Sequence, residues 1–133
     1  MANALFDAGR EAFLDGLISW STDDIRCVLV DTGTYTVNLA THNFHDDLSG
    51  IIATSGNFAS KTITAGVADA ADITFTAVSG TTVEALVIYK WTGSSATSRL
   101  IAYIDTATGL PATPNGADVI IQWDSGANKI FKL

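Results

Sequence analysis

A single cysteine, Cys27, occurs in this chain of 133 residues, so no intrachain disulfide exists. It lies within "IRCVLV", an apolar run where a buried, inert thiol is expected. Charge is also scarce, at 16% of residues against 47% hydrophobic. No apolar stretch approaches the roughly 20 residues that a membrane helix requires. The opening "MANALFDAGREAF" has early acids and no sustained apolar core, unlike a secretory signal. Both prolines fall in "GLPATPNG", and there are only two histidines, His42 and His45. The common catalytic signatures are missing too. There is no HExxH, no GxSxG elbow, no GxGxxG and no GxxxxGK[ST].

What is present argues for one domain spanning 1–133, with an N-terminal helical segment over 1–20 and a β-domain over 25–133. A chain this long buries roughly two thirds of its unfolded surface and needs no disulfide or metal to hold it. The net charge of −7 is uneven. Residues 1–50 carry eight acids and two bases, whereas residues 51–133 carry six acids and five bases. The acidic front half repels phosphate, which disfavours direct nucleic-acid binding. A solvated acidic face accounts for the same residues.

Residues 2–17 predict a helix with Leu5, Phe6, Gly9, Ala12, Phe13, Gly16 and Leu17 on one side. Two glycines on the apolar side imply a close approach to a sheet or to another subunit, unless small residues are merely tolerated there. The remainder reads as strands. Ile25–Asp31 forms one, Asn57–Thr64 a weak one, and Ala71–Val78 alternates with Ile73, Phe75 and Ala77 on one face. From there a meander is expected, with Val83–Trp91 apolar on both faces and central, then Arg99–Thr106, Asp118–Trp123 and "KIFKL". Residues 41–49 read as a polar loop with one helical turn. The fold class is mainly β, an antiparallel β-sandwich or barrel-like domain with one N-terminal helix.

"HNFHDD", His42–Asp47, is where chemistry would first be sought. His42, His45 and Asp46 are residue types that divalent metals accept. The loop offers no rigid frame and no third imidazole or thiolate lies nearby, so no metal or other cofactor is expected. Adjacent carboxylates such as Asp23/Asp24 and Asp46/Asp47 diverge, whereas hydrolytic pairs face each other across about 5–10 Å. No catalytic residue is assigned. Trp91 and Trp123, at strand ends, suggest either packing or stacking on a sugar. Candidate interface residues are Phe6, Gly9, Phe13, Gly16, His42, His45, Trp91 and Trp123.

The opening "ALFDAGREAFLDGLISWSTDDIRCVLVDTGTYTVNLATHNFHDDLSG" resembles the start of small virion proteins of tailed bacteriophages and prophages. "GVADAADITFTAVSGTTVEALVIYK" and "LIAYIDTATGLPATPNGADVIIQWDSGANKIFKL" resemble members of that group as well, so the likeness spans nearly the whole chain. It implies a non-enzymatic structural protein, similar to capsid decoration (cement) proteins that bind the outer shell and stabilise it. Its partners would be the major capsid protein or other virion proteins. Its place would be the virion, after synthesis in the host bacterial cytoplasm, and neither membrane nor nucleic acid would be bound directly. A closed homo-oligomer, dimer or trimer, is the expected arrangement. The alternatives are a tail, neck or fibre component, or a glycan-binding module for host adsorption.

Overall fold

A computed structural model describes residues 3–133. Its centre is a sheet of five antiparallel strands: β1 (Ala4–Leu5), β2 (Ile25–Val30), β3 (Ile51–Thr54), β7 (Ala85–Lys90) and β8 (Leu100–Ile104), in the order β1-β8-β7-β2-β3. The remaining strands are β4 (Thr62–Thr64), β5 (Val67–Asp69), β6 (Ile73–Phe75), β9 (Val119–Ile121) and β10 (Phe131–Lys132). They form a three-stranded sheet, β10-β5-β4, and a two-stranded one, β6-β9. One α-helix, α1 (Asp7–Leu14), and one 3-10 turn (His45–Asp47) complete the described elements. The chain is therefore mainly β, an open sandwich whose main sheet ends in β1 and β3 rather than closing into a barrel.

Strand alternation sends side chains to two separate cores. Ile25, Cys27 and Leu29 of β2 join Leu86 and Ile88 of β7 in the larger core, which the two smaller sheets cover with Ala68, Ile73, Phe75 and Ile121. Val28 and Val30 point the other way and meet Ala85, Val87 and Tyr89. Among the described residues no sheet covers that outer face. The connection 31–50 does so instead, laying Tyr35, Val37, Leu39 and Leu48 on it. Leu39 O accepts from Asp7 N–H (3.0 Å), Asn43 O from Leu100 N–H (3.0 Å), and Ser98 O from His45 N–H (2.9 Å). With both faces buried, β7 is the central strand that its apolar run predicts.

The N-terminal helix is shorter than predicted. The expected span began at residue 2, outside the described residues, and within them Ala4 and Leu5 pair with Tyr103 and Ala102 as a strand. A helix would place Leu5 and Phe6 on one side. The extended backbone instead puts Leu5 in the larger core and Phe6, fully buried, in the outer one. The two expected close approaches also divide. Gly9 lies on β8, where an added Cβ would come within 2.9 Å of Ile101 Cα, Ile101 O and Leu100 O. Ile101 is the extra residue of a bulge, since Ile88 faces Ala102 while Tyr89 faces Leu100. Gly16 has no atom of the described residues within 4 Å of an added Cβ. It ends the helix at φ +71°, with Gly16 N–H on Phe13 O (3.2 Å) and Leu17 N–H on Ala12 O (2.8 Å), a Schellman cap.

Other expectations change in detail. Of Asn57–Thr64 only Thr62–Thr64 is strand, and the next strand, Val67–Asp69, pairs with it across a tight turn. Ile73 and Phe75 are buried as expected, but Ala77 sits at φ +50° outside the strand and is exposed. The meander stops after the β7–β8 hairpin. β9 returns to β6 and β10 to β5, because their apolar residues complete the opposing layer instead of widening the main sheet. No helix among the described residues is long and apolar enough to cross a membrane.

Candidate functional site

The two histidines of "HNFHDD" take different partners. His42 Nδ1 receives the N–H of Asn38 (3.3 Å) and lies 2.8 Å from the Tyr35 hydroxyl. An Nδ1 that accepts from a backbone N–H carries no proton, so the Tyr35 hydroxyl donates to it as well. That lone pair is occupied and not open to a metal. The His45 ring lies edge-on to Tyr89 (4.7 Å) and Trp91 (5.9 Å), and burial lowers its pKa although Asp46 opposes the shift. Asp47 Oδ2 accepts from the N–H groups of Asn43 (2.8 Å) and Phe44 (3.1 Å), which holds its carboxyl below the usual range. No group of three or more histidine, cysteine or acidic side chains is placed to hold a metal among the described residues. This segment is a hydrogen-bonded clasp for the outer core.

The other paired carboxylates diverge as well. Asp24 grips Arg26 through two 2.9 Å bonds, and that guanidinium lies 5.6 Å from the Trp91 ring centre. Asp23 faces Lys90 (3.2 Å) and accepts from Ser19 N–H (2.7 Å). Cys27 is fully buried, and burial pushes its thiol up to about 12. A thiol so placed is a core residue without nucleophilic character at neutral pH.

The interface candidates separate into inner and outer residues. Phe6 is wholly inside, and the close contact of Gly9 is with its own β8. Phe13 is half-buried against Phe131 (5.9 Å). Gly16 is exposed, but as a helix cap. His42, His45, Trp91 and Trp123 are half-buried. Trp91 belongs to the outer-face cluster with His45 and Tyr89, whereas Trp123 packs against Phe58 (5.6 Å) in the inner layer. Trp91 and Trp123, the two candidates for packing or for stacking on a sugar, lie in different clusters.

Two features escaped the sequence reading. One is an apolar row across the small sheet, where register sets Ile63, Ala68 and Phe131 side by side. Phe131 meets Phe13, beyond which Leu14 and Leu17 stand 89% and 50% exposed, and Ile63 is 60% exposed. The other is a groove of about 830 Å³ between β1 and the C-terminal segment. Its floor includes Leu5, Ala102 and Phe131, and its rim carries Arg10, Trp123, Asp124, Asn128, Lys129 and Lys132. The only local signal was "WDSGANK", a tryptophan followed by a polar turn. The rest of the groove comes from the N-terminal segment and from residues 102–110. No protein-family model matches the chain, and no curated protein sequence matches it.

Proposed function

We propose that the protein is a non-enzymatic virion component of a tailed phage, a decoration protein that binds the outer capsid shell and stabilises it. The observation that carries this reading is the pair of exposed leucines at the end of α1. Leu14 and Leu17, with Ile63 of β4, are large apolar side chains left in solvent. Apolar side chains exposed in this way suit protein–protein contact. The resemblance of nearly the whole chain to small virion proteins supports a virion partner, of which the capsid lattice is the one we favour. A repeated shell needs only modest affinity per copy, because many linked contacts act together.

The test uses particles with and without the protein. Removal should lower the temperature at which heads rupture, and re-addition should restore it, while Leu14→Ser/Leu17→Ser protein should fail to rebind. Hundreds of copies per particle fit the shell. A few to some dozens would assign the protein to the tail or neck, and an unchanged rupture temperature would remove the shell-stabilising role.

A further inference from the structure

We propose that the groove between β1 and the C-terminal segment is a saccharide-binding site, with Trp123 as its stacking platform. The Trp123 ring is held before any ligand arrives. Its indole N–H donates to Ala71 O (3.0 Å), its backbone N–H to Asp72 Oδ1 (3.0 Å), and its ring packs against Phe58. The residue is only partly buried and lies on the groove wall. A pre-set aromatic surface loses little freedom on binding, and it suits the C–H face of a pyranose.

The rim supplies the complementary chemistry. Arg10, Lys129 and Lys132 donate, Asp124 accepts, and Asn128 does both. The Asn128 amide and the Lys132 ammonium make no hydrogen bond within the described residues, so both are free for a ligand. Asp105 and Asp124 stand among these cations and would repel part of any phosphate or sulfate, whereas a hydroxyl donates and accepts at once. An extended peptide fits less well. The edge strands at the groove, β1 and β10, are two residues each, and Leu5 O is already taken by Arg10 (3.2 Å). Strand addition needs a longer free edge, since strands usually run to about five or six residues. The volume falls within the roughly 300–1,000 Å³ of small-molecule sites.

The test is retention on an array of linear hexose and hexosamine oligosaccharides, followed by titration of whichever is retained. Trp123→Ala should weaken binding about tenfold or more, and Trp91→Ala should leave it unchanged. Trp123 also contacts Phe58, so the exposed-rim variant Asn128→Ala/Lys129→Gln provides a second arm that leaves the core intact. It should weaken binding with an unchanged melting temperature. Retention of no oligosaccharide, capture of extended peptides instead, or equal binding by wild-type and rim variant would each overturn the proposal. None of these outcomes depends on particle attachment, so this site and the decoration reading fail independently.

Discussion

Replacing Gly9 by alanine sets helix propensity against packing. Within α1 the change favours the helix by about 0.5–1 kcal/mol. Against it stand three atoms 2.9 Å from the new Cβ, namely Ile101 Cα, Ile101 O and Leu100 O. Comfortable carbon contacts begin at roughly 3.5 Å, so the helix or β8 must retreat by about half an ångström. Neither yields easily. The three atoms are backbone, β8 is paired on both sides by β1 and β7, and Phe6 N–H is tied to Ile101 O at 2.9 Å. Overpacking of this kind costs about 1–3 kcal/mol or more. Gly9→Ala should therefore destabilise the protein by about 1–2 kcal/mol net, a fall in melting temperature of roughly 3–10 °C for a chain of this size. Urea titration monitored by tryptophan fluorescence, with scanning calorimetry, measures it. A Gly9→Ala protein as stable as wild type would refute the close seating of α1 on the Ile101 bulge. Gly16→Ala is the control: no atom obstructs its Cβ, and only the left-handed φ costs about 1 kcal/mol.

Three further outcomes are expected. Ser55 Oγ receives the buried N–H of Cys27 at 2.9 Å, so Ser55→Ala should cost about 1–3 kcal/mol in chemical denaturation by leaving that donor unpaired. Cys27 should resist a thiol reagent in the native protein at pH 8 and react only as fast as the protein opens; rapid native labelling would contradict its burial. Burial lowers the His45 pKa, so its neutral form is the one the fold prefers and the unfolded chain binds the proton first. Its contribution is full above about pH 6.5 and is lost as pH falls through the lowered folded value. Melting temperatures recorded from pH 8 down to 5 should fall more in wild type than in His45→Gln, and Trp91 emission should change over the same range. Parallel curves would show that His45 is not coupled to the fold.

The strands with apolar runs were legible because burial on both faces leaves a continuous signal, as in "IRCVLV" and "ALVIYK". Ile51–Thr54 was missed. It is an edge strand, half-buried at Ile52 and Ala53 and exposed at both ends, so it lacks both a run and an alternation. Leu5 and Phe6 misled the helix assignment, since two adjacent apolar residues suit a helix face and a strand between two cores equally well. The direction of the meander was hidden because hairpin turns look the same whether the next strand joins the same sheet or the facing one. In "HNFHDD" the residue types were visible, but the groups that hold His42 Nδ1, the Asn38 N–H and the Tyr35 hydroxyl, lie outside it. The groove was least legible of all. Its walls bring Arg10 together with Asn128, and no local pattern announces such a meeting.

The connection 31–50 has one more consequence. The larger core is enclosed by hydrogen-bonded sheets, but the outer one is shut by a single irregular segment held mainly at Leu39, Asn43 and His45. The two halves of the interior therefore open at different free energies. Detachment of this one segment uncovers Val28, Val30 and Val87 while the main sheet stays paired. Amide exchange should accordingly divide β2 and β7 from the clasp, and crowded copies that stick together on warming should do so through this face, before the fold as a whole is lost.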